Sequence, residues 1–261
     1  MFTPPVTALR SAALLAVLGL GCACGAGADD ATVVTVFAAS SLTEALGELA
    51  EEFETANPGT RVRLNFAGSQ ILRLQLEQGA AADVFASANP DHVAALNAAE
   101  LVGPAEVFAH NELALIVPVE NPAQITAFDQ LTRARRLVVA EPNVPAGRYT
   151  RELLRRANEQ LVPGFGDEVL SRVVSEELNV RLVRAKVELG EADAAIVYMT
   201  DAESSGQVLR IDIPPAVNVR ADYSVCLVAD GRAGEAATRF VEFMLSDTGQ
   251  AVLLRWGFGV E

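Results

Sequence analysis

The sequence is poor in the residues on which covalent cross-linking and much catalysis depend. Its 261 residues include only three cysteines and two histidines. Cys22 and Cys24 lie in a segment interpreted below as an export signal, so Cys226 is the one cysteine that certainly remains after its removal, and a single cysteine cannot form an internal disulfide. Cys226 stands in an apolar run, which predicts a buried small side chain rather than a reactive thiol. His92 and His110 are both expected at the surface.

Motifs of nucleophilic and metal-dependent enzymes are missing as well. The sequence contains no G-x-S-x-G elbow and no zinc-type spacing of histidine and cysteine. We therefore expect a protein that is not an enzyme, with no catalytic residues, no cofactor and no direct bond from a side chain to a metal.

Basic side chains are few relative to acidic ones. The chain has 20 lysines and arginines against 34 aspartates and glutamates, which gives a formal net charge of −14. Binding to nucleic acid requires clustered basic side chains, so nucleic acid is not an expected partner.

The N-terminal region has the pattern of an export signal, predicted over residues 1–28. Arg10 precedes an apolar stretch, Ser11 to Leu20, whose ten residues are too few to cross a bilayer core of about 30 Å as a helix. Two ways of processing stay open. An Ala-Gly-Ala sequence fits a signal-peptidase site, whereas Cys22 or Cys24 could become the lipidated first residue of a lipoprotein. Either way the location is extracytoplasmic, in the periplasm or cell envelope, with or without a lipid anchor.

From residue 32 onward, short β-branched runs alternate with helical patterns. This alternation predicts an α/β protein with largely parallel sheets. The predicted strands are Thr32 to Ala38, Val62 to Phe66, Ala82 to Ala86, Leu113 to Val117, Arg136 to Ala140, Ala194 to Tyr198, Val208 to Ile213 and Tyr223 to Ala229. The predicted helices start near Leu42, Ile71 and Pro90 and cover Ala146 to Asn158, Val180 to Leu189 and most of Ala233 to Arg255.

Small or hydroxyl residues mark four of the predicted helix starts. These are Ser40-Ser41, Gly68-Ser69, Pro145-Ala146 and Asn179-Val180, and Tyr198 adds a phenol at a strand end. Ser41 with Glu44 matches a capping box, Asn179 is a good N-cap, and Pro145 suits a first helical turn. Because helix N-termini present unpaired N–H groups, the four together could hold an anion, although ordinary capping explains any one of them.

Several segments resemble one family in order and spacing from about residue 32 to the C-terminus. They are Val34 to Thr43, Asn65 to Ser69, Gly79 to Ala88, Pro142 to Tyr149, Ala195 to Tyr198 and Arg255 to Phe258. In these segments the chain is similar to periplasmic molybdate-binding proteins of ABC transporters. The resemblance implies a type II periplasmic-binding-protein-like fold, with two α/β lobes of mixed sheets joined by two crossing strands and the ligand in the cleft. The expected limits are 29–113 with 217–261 for lobe I and 114–216 for lobe II.

The resemblance also implies a site and its ligand. Ser41 and Ser69 match the family's hydroxyl donors, Ala146 and Val180 match its backbone N–H donors, and Tyr198 matches the phenol that closes the site. The implied function is a monomeric receptor that delivers molybdate or tungstate to an ABC transporter permease. The alternative is another tetrahedral oxyanion such as sulfate. Gly68 and Gln70 depart from the family, in which small hydroxyl residues are frequent beside this serine.

Overall fold

The fold is built on two five-stranded mixed sheets, as a computed structural model shows for residues 31–260. The predicted export signal, including Cys22 and Cys24, lies outside these residues. The strands are β1 Thr32–Ala39, β2 Thr60–Ala67, β3 Val84–Ser87, β4 Val102–Asn111, β5 Leu113–Pro118, β6 Leu137–Ala140, β7 Val173–Glu177, β8 Ala194–Tyr198, β9 Val208–Ile211 and β10 Ala221–Val228. The helices are α1 Thr43–Ala56, α2 Ser69–Glu77, α3 Pro90–Ala98, α4 Pro145–Gln160, α5 Phe165–Ser171, α6 Val180–Glu188, α7 Met199–Glu203, α8 Glu235–Leu245 and α9 Asp247–Arg255.

The first sheet, with its helices, forms lobe I and has the order β2-β1-β3-β10-β4. Strand β1 pairs in parallel with β2 and β3, and β10 runs antiparallel to β3 and β4. The apolar run that predicted β1 is buried over most of its length, as expected for a strand covered on both faces. Since β1, β2 and β3 are parallel, their C-terminal ends and the turns that follow them lie along one edge of the sheet.

The second sheet forms lobe II, with the order β7-β6-β8-β5-β9. Strand β6 is parallel to β7 and β8, whereas β5 is antiparallel to β8 and β9. Strands β6 and β8 are entirely buried. The fold class predicted from the sequence, two α/β lobes with mixed sheets, is confirmed.

The chain passes between the lobes twice. Strand β4 ends at Asn111 and β5 begins at Leu113, so the first crossing is almost continuous strand. The second was also expected to be a strand, and that expectation is wrong, because residues 212–220 form a turn between irregular segments and contain no strand. Asn218 ties the two crossings together, because its side chain accepts from the N–H of Leu113 at 3.2 Å and donates to the carbonyl of Leu113 at 3.0 Å.

The helical region predicted over most of Ala233 to Arg255 consists of two helices, α8 and α9, divided at Ser246. The hydroxyl of Ser246 caps α9 by accepting from the N–H of Gly249 at 3.3 Å. Gly249 also fits closely against the carbonyl of Phe243 at the end of α8, where a Cβ atom would clash.

Strands β4 and β7 and the short helices α5 and α7 were not predicted. Strands β4 and β7 are sheet edges with several exposed side chains, so their sequences lack a continuous apolar pattern. Across residues 31–260, the helices are all too short or too polar to cross a membrane.

Candidate functional site

The helix starts singled out in the sequence meet at one cavity between the lobes. The space between the lining residues is small, about 200 Å³ including the part that opens to solvent, and Ser41, Ser69, Ala146, Val180 and Tyr198 all line it. The sequence predicted these five positions separately, and the fold brings them together around a space suited to a small ligand.

Lobe I contributes three buried serines, Ser40, Ser41 and Ser69, of which the last two are the predicted donors. Ser69 is the first residue of α2, and its hydroxyl oxygen accepts from the N–H of Ala88 at 3.1 Å. Ser41 lies in a 3-10 turn, Ser40–Leu42, and its hydroxyl oxygen is 2.9 Å from that of Tyr223. Because the oxygen of Ser69 is occupied as an acceptor, its proton is available to a ligand.

Lobe II contributes two backbone donors. Ala146 follows Pro145 in the first turn of α4, and Val180 opens α6. N–H groups in a first helical turn have no acceptor within their own helix, so both can donate to a ligand. The predicted N-cap at Asn179 is confirmed, since its side chain accepts from the N–H of Leu182 at 3.0 Å.

Tyr198 closes the cavity at the end of β8. The side chain is 1% exposed, and its hydroxyl has no hydrogen-bond partner among the described residues. Burial raises the pKa of Tyr198 well above its ordinary value, so the phenol keeps its proton at neutral pH. A buried hydroxyl without a partner in the protein is costly, so this proton is available to an acceptor in the cavity.

The electrostatics of the cavity come from neutral groups. Of the described residues that line it, none is an aspartate, glutamate, lysine, arginine or histidine. In addition, residues 31–260 hold no group of three or more His, Cys, Asp or Glu side chains arranged for a metal ion. Hydroxyl and N–H donors at helix starts are therefore the groups available to a ligand, and they favour an anion.

Arg181, which the sequence analysis did not single out, joins the lobes beside the cavity. Its Nε donates to the carbonyl of Ser40 at 3.1 Å, and its guanidinium forms an ion pair with Glu44 of lobe I. The same Nε lies 3.2 Å from a carboxylate oxygen of the buried Asp201. The link across the cleft depends on a pair 137 residues apart in the chain, which no local motif reveals.

The capping box predicted for Ser41 and Glu44 is wrong. The 3-10 turn moves the start of α1 to Thr43, with Leu42 as its N-cap and no side-chain capping bond. A capping box requires Ser41 to be the N-cap of α1, and it lies one residue before that position. Ser41 contacts Tyr223 instead, and Glu44 pairs with Arg181.

Gln70 and His92 also form hydrogen bonds across the cleft. The side-chain amide of Gln70 in lobe I donates to the carbonyl of Leu178 in lobe II at 2.7 Å. Nε2 of His92 lies 3.2 Å from the carbonyl of Asn143, close to the start of α4. His92 is only 9% exposed, so the expectation that it lies at the surface was wrong. Burial is the main reason that the pKa of His92 is lowered.

The chain is similar in sequence to known solute-binding proteins. A profile of bacterial extracellular solute-binding proteins matches residues 34–259. The molybdate-binding protein ModA of Mycobacterium tuberculosis is 37% identical over 230 residues, which cover 86% of this chain and 84% of ModA.

Two solved structures are also similar. The substrate-binding domain of a putative molybdenum ABC transporter from Clostridium difficile is 27% identical, with a TM-score of 0.66 over 88% of this chain and 99% of that one. The sulfate-binding protein SubI of M. tuberculosis has a TM-score of 0.76 at 18% identity, over 87% of this chain and 86% of SubI, and therefore shows a shared fold only.

Proposed function

Because the chain belongs to the family of bacterial extracellular solute-binding proteins, we propose that it is a receptor that binds molybdate, or tungstate, and delivers it to the permease of an ABC transporter. Family membership gives a solute receptor outside the cytoplasm rather than an enzyme. Molybdate as the ligand is supported by the identity to ModA over most of both chains and by the chemistry of the cavity.

The observation that carries the proposal is a small cavity, lined mostly by buried residues, whose polar groups are all neutral and include the partnerless hydroxyl of Tyr198. A doubly charged tetrahedral oxyanion offers only acceptors, so a set of donors satisfies it, whereas a carboxylate would repel it. We propose Ser41, Ser69, Ala146, Val180 and Tyr198 as the donors. The first two belong to lobe I and the other three to lobe II.

Neutral donors are sufficient for tight binding. Hydrogen bonds to a charged group are worth roughly 1.5–3 kcal/mol each, so about six of them give a gross 9–18 kcal/mol. Association costs at least several kcal/mol. The remainder can reach the roughly −8.2 kcal/mol of micromolar binding, because the donors are fixed before the ligand arrives.

Several finer points belong to the same proposal. The lobe limits are 29–113 with 217–261 and 114–216. Residues 1–28 direct export, with a lipid anchor at Cys22 or Cys24 as the alternative to free release. The receptor acts as a monomer. Light scattering with and without molybdate tests the last point, and the mass of the mature N-terminal peptide tests the processing.

The decisive test is isothermal titration of residues 29–261 with molybdate, tungstate, sulfate and phosphate in one buffer. We expect one-to-one binding of molybdate and tungstate and much weaker binding of the other two. Sulfate presents the same acceptors and is separated mainly by cavity size. Phosphate keeps a proton at neutral pH and needs an acceptor in the cavity. If sulfate bound most tightly, the protein would still be an oxyanion receptor, but its ligand would be sulfate rather than molybdate. If none of the four anions produced heat, the proposal would be refuted.

A further inference from the structure

Tyr223 lies directly behind the proposed site without lining it. The residue is on β10, its side chain is fully buried, and its hydroxyl oxygen is 2.9 Å from that of Ser41. The ring packs edge-on against Phe258 at a centroid distance of 5.3 Å and against Tyr198 at 5.7 Å, and Phe108 lies at 6.4 Å. Three aromatic neighbours hold the ring, so the phenolic oxygen has a fixed position beside Ser41.

Two hydroxyls that share one hydrogen bond leave one proton free. The side-chain amide of Asn111 also lies within hydrogen-bonding reach of the Tyr223 hydroxyl, where it acts as a donor. If Ser41 donated to Tyr223 as well, the phenolic proton would need another acceptor, and the neighbouring hydroxyl is that of Tyr198. Of Ser41 and Tyr198, only Tyr198 would then donate into the cavity. If Tyr223 donates to Ser41, both Ser41 and Tyr198 can donate to a bound anion. Hydrogen bonds to an ionised acceptor are roughly twice as strong as neutral ones, so a dianion favours the second arrangement.

We propose that Tyr223 is a positioning and selectivity residue, whose hydroxyl donates to Ser41 and so directs the Ser41 proton towards the oxyanion. This inference rests on the proposed function, since it requires an oxyanion in the cavity. Burial raises the pKa of Tyr223 well above its ordinary value, which keeps the phenol protonated as the role requires.

Ser69 offers an independent parallel. Its hydroxyl oxygen accepts from the backbone N–H of Ala88 at 3.1 Å, so a donor behind the serine again occupies the oxygen. Ser41 and Ser69 are thereby both made donors towards the cavity. The donor behind Ser69 belongs to the backbone, whereas the donor behind Ser41 belongs to a side chain and can be removed by substitution.

The arrangement has a consequence for selectivity. An anion that carries a proton, such as hydrogen phosphate, needs an acceptor in the cavity. With its oxygen occupied by Tyr223, Ser41 is a poor acceptor. Without that hydroxyl, Ser41 can rotate and accept the anion's proton. Tyr223→Phe should therefore weaken molybdate binding and improve phosphate binding relative to molybdate.

The test is a double-mutant cycle of Tyr223→Phe and Ser41→Ala, titrated with molybdate and with phosphate. In the wild-type background, loss of the Tyr223 hydroxyl should weaken molybdate binding about two- to tenfold, as expected for one neutral hydrogen bond. In the Ser41→Ala background the same change should have an effect of less than about twofold, because the residue through which Tyr223 acts is gone. The ratio of phosphate to molybdate affinity should rise only where Ser41 is present.

Cys226→Ala is the matched control. Cys226 lies on the same strand, is equally buried and packs in a separate cluster with Phe85, so its truncation loosens β10 without touching Ser41. It should lower the free energy of unfolding but leave the phosphate-to-molybdate ratio unchanged. The inference would be overturned if the effects of Tyr223→Phe and Ser41→Ala on molybdate affinity were additive. It would also be overturned if Tyr223→Phe left the phosphate-to-molybdate affinity ratio unchanged, or if its effect depended on the Tyr198 hydroxyl (tested with Tyr198→Phe) instead of on Ser41. Failure of the wild-type protein to bind any oxyanion would instead refute the proposed function.

Discussion

Gly68 allows the two lobes to approach each other, and replacing it with alanine should oppose closure of the cleft. A Cβ atom at this position would fall well inside the 3.0 Å limit of real contacts from the carbonyl oxygen of Leu178, in the opposite lobe. It would also lie 2.5–2.6 Å from the side-chain amide of Gln70, which donates to the same carbonyl. The backbone at Gly68 has φ −63° and ψ 138°, which any residue adopts, so lobe I itself is not strained by the change.

The size of the effect follows from the two contacts that are disturbed. Overpacking against a backbone atom costs about 1–3 kcal/mol. A displaced Gln70 loses a hydrogen bond worth about 0.5–1.5 kcal/mol. The closed state should therefore lose about 1.5–4.5 kcal/mol, which corresponds to a Kd for molybdate that is roughly ten to a thousand times higher.

Two measurements separate closure from folding. Titration calorimetry gives the loss of molybdate affinity, and urea unfolding without ligand gives the stability, which should change little because the clash disappears when the lobes part. Gly47→Ala is the control, since a Cβ atom on this glycine of α1 meets nothing within 4 Å. Unchanged affinity in Gly68→Ala would show that the bound state does not use this contact. An equal loss of stability in the free protein would show that the clash lies within the fold.

Three other substitutions test the site and the cleft. Tyr198→Phe should weaken molybdate binding by about 1.5–3 kcal/mol, the value of one charge-assisted hydrogen bond, with little loss of stability; unchanged affinity on titration would remove Tyr198 from the site. Ala146→Pro should weaken molybdate binding more than Tyr198→Phe, because it removes the backbone N–H donor and also restricts the backbone conformation of Pro145. An equal or smaller loss of affinity in a folded variant would contradict the role of Ala146 as a backbone donor. His92 has a lowered pKa in the closed structure, so the unfolded chain takes up the proton first and stability should be lost as the pH falls below about 6.5. The decrease in urea midpoint between about pH 7.5 and 5.5 should be smaller in His92→Gln, and equal decreases would exclude His92 as its source.

Most of the fold could be predicted from the sequence because its central strands are apolar on both faces. The runs that form β1, β6 and β8 are buried and stand between helices of clear period, so the alternation itself indicates an α/β architecture. The missed strands β4 and β7 lie at sheet edges, where one side faces solvent and polar residues are allowed.

The helix starts that line the cavity could be predicted for a similar reason, since each is marked by a local signal of capping or turn residues. Their convergence came only from the resemblance to a family. Tyr223 could not be found in this way, because its relation to Ser41 spans 182 residues and its sequence context reads as ordinary buried strand. Arg181 and Glu44 were missed for the same reason, and the local motif that included Glu44 pointed to a contact that does not form.

The bond pair between Asn218 and Leu113 has a consequence for how a bound ion leaves. Two separate connectors would let one lobe slide, twist or tilt against the other, whereas connectors fastened at one point restrict the lobes to rotation about a common axis. The proposed donors are divided between the two lobes, so a rotation of one lobe would withdraw all of its donors together. All the hydrogen bonds from one lobe to the ion would then break in the same step. A permease that separates the lobes would not need to break these contacts one after another.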